Sequence, residues 1–354
     1  MSRTPAAPPE IIEPPPRHRF DVEALGAYLE AHVPGFAAPL HARQFTGGQS
    51  NPTFLLEAGS GRYIMRKKPA GELLPSAHAV DREYRVITAL ADSDVPVPRT
   101  YCLCEDESVI GQSFYIMEYV DGRVIRDPSV PGVSAEERAA MYRSLAQVLA
   151  RLHAVDYKAL GLEDYGRPGN YFQRQLARWS KQYEVTKTRE IASMDALMAW
   201  LPPRIPADES SSIAHGDYRL ENTIVHPREP RVVAVLDWEL STIGHPLADL
   251  GLNLVAFYAP AGMPTGFARE EDKRAPGLPT PEAYVAEYCR AAGRAGIPDL
   301  QYYVIFSMFR LASILQGIAM RAITGTASSA QAAHYGDYAG WIADAAWKMA
   351  RHQS

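Results

Sequence analysis

The sequence predicts an α+β fold of two lobes, a β-rich N-lobe followed by a mainly helical C-lobe. Two strand-like runs flank a Gly-Ser-Gly turn in QFTGGQSNPTFLLEAGSGRYIMRKKP, and two more apolar, β-branched runs fill VPVPRTYCLCEDESVIGQSFYIMEYV. From Ser134 onward the apolar residues recur mostly at helical spacing. Within that helical region lie IAHGDYRLENTIVH and VVAVLDWELSTIG, two short strand-and-loop segments joined as a hairpin.

Taken in chain order, the first 20 residues are proline-rich and read as an extended, poorly ordered arm, broken too often by proline to form a secretion signal. FDVEALGAYLEAHV places Val22, Leu25, Leu29 and Val33 at helical spacing. HAVDREYRVITAL returns to that spacing after the first strand pair, so residues 21–120 are expected to form a small sheet with one crossing helix. SAEERAAMYRSLAQVLARLHAV is a capped amphipathic helix, with Ser134 as N-cap and Glu137 three residues on. The stretch from Tyr171 to Trp200 is mostly helical and stops at Pro202-Pro203, and the tail from Pro281 to Met349 is again helix-rich. Residues 121–354 are therefore expected to make the C-lobe.

Composition narrows the classes. Of 354 residues, 47% are apolar and 22% charged, enough for a sizeable core. A net charge of −5 argues against a broad nucleic-acid surface. Three cysteines make no disulfide framework, and Cys102 and Cys104 form a C-x-C without a nearby His or second pair, so a reduced, cytoplasmic setting is expected. No apolar run approaching the ~20 residues of a bilayer span is read, so no membrane partner is expected.

The strongest chemical signal is H-G-D-Y-R-L-E-N, His215 to Asn222, followed by V-L-D-W-E with its carboxylate at Asp237. Phosphoryl transfer needs a carboxylate to orient the accepting hydroxyl and cations to neutralise charge on the phosphates. Asp217 suits the first role, with its carboxylate expected to be unpaired by any fixed cation, and Asn222 and Asp237 offer hard oxygens suited to Mg²⁺. Singly, each residue reads more readily as a turn or cap than as chemistry. Their joint spacing, between the apolar runs Thr223–Val225 and Val232–Leu236, favours chemistry.

HGDYRLEN followed by LDWE resembles the aminoglycoside phosphotransferase and choline kinase superfamily, distant relatives of the protein kinases. The resemblance implies a protein-kinase-like two-lobed fold, ATP and Mg²⁺ as cofactors, Asp217 as catalytic base, and Asn222 and Asp237 as metal ligands. It gives His215 a structural part and makes Asp249, in G-H-P-L-A-D-L-G, a buttress of the catalytic loop. In F-T-G-G-Q-S-N, it gives Gly47, Gly48 and Ser50 to the phosphates, although a Gly-Gly is also an ordinary hairpin turn. In Y-I-M-R-K-K one cation grips the phosphates. Arg66 fits the strand's apolar pattern, and Lys67 is the alternative; adjacent strand residues face opposite sides, so the cation left unpaired is expected to face solvent. Glu83 matches the helix glutamate that pairs with that cation. Y-I-M-E-Y-V-D-G resembles the hinge, with Met117 gating the adenine pocket and backbone groups of Glu118 and Val120 binding adenine. The match runs from about Phe45 to Ala256. It is closest to kinase-like domains that occur alone in bacteria or fused to acyl-CoA dehydrogenases, which implies a hydroxylated acid or hydroxyacyl thioester as the small-molecule acceptor.

YYVIFSMFRLASILQGIAMRAITG is apolar and basic, unlike the acidic groove a polycationic drug needs. Tyr302, Arg310 and Arg321 are candidates for an anionic, apolar substrate, although the segment reads more readily as a core helix with flanking solvated arginines. Two other functions compete with a small-molecule kinase. One is a catalytically silent, kinase-like binding module. The other is a hydrolytic metal site built from His215, Asp217, His226 and Asp237, which leaves the N-lobe without a task.

Overall fold

In the computed structural model, residues 10–46, 51–69, 79–264, 266–324 and 334–352 are described. The chain divides into two compact units. One comprises Ala6–Val124 with Thr223–Leu240, and the other Ile125–Asn222 with Ser241–Ser354.

The first unit is built on a sheet of order β1-β2-β3-β4-β6-β5, each neighbouring pair antiparallel. Its strands are β1 (Ile11–Ile12), β2 (Leu40–Phe45), β3 (Thr53–Ala58), β4 (Gly61–Lys67), β5 (Thr100–Cys104) and β6 (Phe114–Glu118). The Gly-Ser turn closes β3 onto β4 with Ala58 opposite Gly61, where φ of +135° suits only glycine. Helix α1 (Val22–His32) starts on Asp21, whose carboxylate accepts from Ala24 N at 2.9 Å. Its Leu25 and Leu29, with Val33, join Phe54, Leu56, Met65 and Phe114 in one apolar cluster. Helix α2 (Val80–Leu90) carries Glu83. The proline-rich arm departs from its expected disorder where it is described. Ile11 and Ile12 pair with Phe45 and Gln44, because the outer edge of β2 offers unpaired backbone groups to any extended neighbour.

The hairpin β8 (Thr223–Val225) and β9 (Val232–Val235) belongs to this same unit, not to the helical region in which the sequence reading placed it. Its backbone explains why. Arg123 and Val225 exchange hydrogen bonds at 2.7 and 2.9 Å, and Val235 N donates to Pro96 O at 2.8 Å.

The second unit holds α3 (Ala135–Ala154), α4 (Tyr171–Thr186), α5 (Ala192–Trp200), α6 (Pro246–Tyr258), α7 (Pro281–Ala291), α8 (Leu300–Ile323) and α9 (Tyr335–Arg351). A two-stranded ribbon, β7 (Ser212–Ala214) with β10 (Thr242–Gly244), lies among them. Ser134 caps α3 by accepting from Glu137 N at 3.1 Å. Helix α8 corrects the expectation that no segment has spanning length. It runs for 24 residues, an 18-residue window of it reaches a mean hydropathy of 1.5, and 78% of that window is buried, which is the pattern of a core helix.

Candidate active site

In the β-rich unit the site grows from the alternation of β4. Arg66 leaves one face of the strand towards α2, where Nε lies 3.0 Å from Glu83 Oε2. Glu83 is fully buried. Its other partners are Asn51 Nδ2 at 2.6 Å and the Tyr115 hydroxyl at 3.1 Å. Three donors around one carboxylate are what a buried charge needs to persist. Arg66 also reaches Asp237 Oδ1 through Nη2 at 3.1 Å. Asp237 follows β9 with φ of +66°, which an aspartate tolerates better than most residues.

Lys67 departs from its expected place in solvent. It is 1% exposed, and its Nζ donates to Gln112 Oε1 at 2.7 Å beside the rings of Phe20 and Phe54. The face opposite Arg66 is the apolar one, so burial pushes the Lys67 amine below its usual range. Glu83 therefore pairs with Arg66. Gly47, Gly48 and Ser50 lie outside the described residues. Met117 is buried on β6, while Glu118 is exposed and Val120 half-buried. The Glu118 N–H is already donated to Arg99 O at 2.7 Å.

The second unit holds the loop from His215 to Asn222. Two successive backbone N–H groups, of His215 and Gly216, donate to Asp249 at 2.6 and 2.8 Å. Asp249 lies in the first turn of α6, and His153 Nε2 is 3.5 Å from it. Burial works to raise the Asp249 carboxyl, but the contact with His153, the charge of His215 and the Gly216 N–H outweigh it and hold the group below the usual carboxylate range. From the other side, Arg310 Nη2 donates to Gly216 O at 2.8 Å. The Tyr218 hydroxyl donates to Leu145 O at 2.8 Å, and Asn253 Nδ2 donates to Tyr218 O at 3.0 Å. The loop is thus pinned on both sides of Asp217.

Asp217 was expected to carry no fixed cation, and the structure corrects this. Arg219 Nη2 lies 3.1 Å from its Oδ2 and 2.7 Å from Glu221. Asn222 Nδ2 donates to the same Oδ2 at 2.9 Å and to the Asp217 carbonyl at 2.8 Å. Both donors meet one oxygen, Oδ2. Arg219 went unread in the sequence. Its one signal was the alternation of charge at Asp217, Arg219 and Glu221, which brings three polar side chains together on a tight loop.

Arg310 and Tyr302 are likewise corrected as substrate contacts. Tyr302 is 3% exposed among Phe172, Trp200 and Tyr303, and Arg310, at 8%, holds backbone rather than solute. Arg321 is exposed on the last turn of α8.

Each unit by itself offers an oxygen donor of the kind a hard cation takes. Asn222 uses its NH₂ on Asp217, which leaves the amide oxygen Oδ1 for a metal, and Asp237 is a half-exposed carboxylate. Among the described residues no three His, Cys, Asp or Glu side chains cluster as a metal cage. Magnesium suits such sparse sets, because phosphate oxygens and water complete its shell.

Comparison with known proteins is consistent with this chemistry. A family model described as "Phosphotransferase enzyme family" matches residues 41–303. Acyl-CoA dehydrogenase family member 10 of Mus musculus is 44% identical over 334 residues, which cover 93% of this chain. The chain spans 31% of that relative's length. A crystal structure from Ralstonia eutropha, provisionally assigned as an aminoglycoside phosphotransferase, is 51% identical with a TM-score of 0.86, covering 94% of this chain and 99% of that one. A thermostable mutant of aminoglycoside phosphotransferase APH(4)-Ia, in ternary complex with AMP-PNP and hygromycin B, matches in fold at a TM-score of 0.58 and 18% identity. That match covers 92% of this chain and 98% of the other.

Proposed function

The chain belongs to the phosphotransferase enzyme family, and on that premise we propose that it moves the γ-phosphate of ATP to a hydroxyl of a small molecule, a hydroxy acid or hydroxyacyl thioester. The observation that carries this is the Asp217 carboxylate, with Oδ2 held by Arg219 and Asn222 and Oδ1 left for the acceptor. A carboxylate oriented in this way aligns the hydroxyl and accepts its proton late, as a loose phosphoryl-transfer transition state requires.

In this reading the β-rich unit holds the nucleotide. Arg66 grips phosphate while Glu83 fixes its guanidinium, a fork suited to two oxygens at once. Met117, Glu118 and Val120 border the adenine, with Gly47, Gly48 and Ser50 over the phosphates. Asn222 Oδ1 and Asp237 would hold magnesium, which supplies positive charge against the phosphates. The AMP-PNP in the fold-related ternary complex supports ATP as donor. The dehydrogenase name of the 44% identical relative supports an acyl-type acceptor over an antibiotic.

An assay of ADP release tests the reading, run against hydroxy acids, their CoA thioesters, choline-like alcohols and aminoglycosides, with and without magnesium. We expect magnesium-dependent turnover with a member of the first two groups. Binding of an ATP analogue without ADP release from any group would replace the reading with that of a silent binding module.

A further inference from the structure

In the helical unit a recess of about 420 Å³, open mouth included, is bordered by Pro128, Tyr142, Arg219, Asn253, Ala256 and Phe257. Its outer wall is rigidly built. The Tyr142 hydroxyl donates to Pro128 O, and Arg138 binds the carbonyls of Ser129 and Val130 at 2.7 and 3.0 Å. Val130 sits at φ of +47°, a strained conformation for a β-branched residue that persists only where its surroundings over-determine it.

Among the described residues, two buried polar atoms of residues on this recess have no partner. Asn253 is 8% exposed, and because its Nδ2 donates to Tyr218 O, the unmatched atom is the acceptor Oδ1. Arg219 uses Nη2 on Asp217 and Glu221, and its buried Nε–H has no acceptor. An unmatched buried polar atom is destabilising, so water or a ligand group is expected at both. One group satisfies both if it accepts from an N–H and donates to an amide oxygen, as a hydroxyl or a secondary amide does. A carboxylate does not suit the place, since Asp217 and Glu221 already flank Arg219.

We propose that this recess is the acceptor-specificity subsite, seating an apolar segment whose neutral hydroxyl or amide accepts from Arg219 Nε and donates to Asn253 Oδ1. The proposal rests on the phosphotransfer reading and names the substrate class of that site. Arg219 couples the two, since it touches both the recess and Asp217.

Two variants test it by calorimetry. Ala256→Leu fills the recess, and Arg219→Lys keeps the charge while deleting the Nε–H. The probes are hydroxyacyl-CoA thioesters (amides and hydroxyl), free hydroxy acids (hydroxyl alone) and the corresponding deoxy acids, with a non-hydrolysable ATP analogue measured alongside. We expect at least one hydroxylated or amide-bearing probe to bind the wild type. Ala256→Leu weakens it at least ~10-fold, a scale of one lost buried contact, with nucleotide Kd unchanged. Arg219→Lys brings its affinity close to that of the deoxy acid. Preference for the thioester over the free acid assigns the group to the amide, and equal affinity assigns it to the hydroxyl. The proposal is overturned if no probe binds the wild type, or if both variants bind the probes as the wild type does, in which case the recess holds buried water. Binding that is sensitive to Ala256→Leu without turnover supports the subsite and rejects phosphotransfer. Turnover insensitive to both variants does the reverse.

Discussion

Arg66 stands between two carboxylates, its Nε 3.0 Å from Glu83 and its Nη2 3.1 Å from Asp237. One of them is sealed in the interior and the other is open to solvent, so the guanidinium ties a structural charge to a chemical one. Replacing Arg66 with Met strands Glu83 as a buried anion, which costs about 3–5 kcal/mol when a partner is removed. Arg66→Lys restores the charge but not the fork. Thermal melts should show Met far below Lys, and both variants should raise the ATP KM. An ATP KM unchanged in both would remove Arg66 from the phosphate site.

Asp217→Asn keeps the size of the side chain and deletes the charge facing both Arg219 and the acceptor. Nucleotide affinity should survive, and kcat should fall at least ~100-fold, the lower scale of general-base effects. Near-normal turnover would rule Asp217 out as the base.

Lys67 is a charge in an apolar setting, and among the described residues Gln112 is its hydrogen-bond partner. Its folded pKa lies below the ordinary lysine value, so at neutral pH the fold already bears the cost of protonating it there. Lys67→Met should raise the melting temperature at pH 7 by a few degrees and leave nucleotide Kd unchanged. A lower melting temperature would mean that the Gln112 contact outweighs burial.

His245 caps α6 in its neutral form, with Nδ1 accepting from Leu247 N at 3.2 Å and Nε2 facing Asp208 O at 3.1 Å. Burial lowers its pKa to about 4, despite the Asp208 charge that works to raise it. Above pH ~6.5 the imidazole is neutral folded or unfolded. Between pH ~6.5 and about 4 the unfolded chain binds a proton that the native one refuses, so stability falls as pH falls, by about 3 kcal/mol in total, and levels off below. Denaturation profiles of His245→Asn should lose that slope, and an unchanged slope would place the titrating group elsewhere.

Much of the fold was legible because it follows local rules. Val22, Leu25 and Leu29 repeat at helical spacing, Ser134 caps α3, and a Gly-Ser turn joins β3 to β4. The motif His215–Asn222 with Asp237 made the family legible because few other tasks need those oxygens at that spacing. What escaped depends on neighbours distant in sequence. Lys67 looks like a solvated strand cation until Phe20 and α1 cover its face. Arg310 looks like a ligand for solute until Gly216, nearly a hundred residues earlier, supplies its acceptor. Asn253 gave no signal at all, since an asparagine in a helix declares neither its partner nor its unmatched oxygen.

The placement of Trp238 gives the site an optical property. The indole follows Asp237 directly, is fully buried, and donates Nε1–H to Val235 O at 3.0 Å. Emission of a sheltered indole responds to the electric field beside it, and a divalent cation arriving at the neighbouring carboxylate changes that field. If Asp237 takes magnesium as proposed, a titration should change the emission without any label, and Trp238→Phe should remove that change.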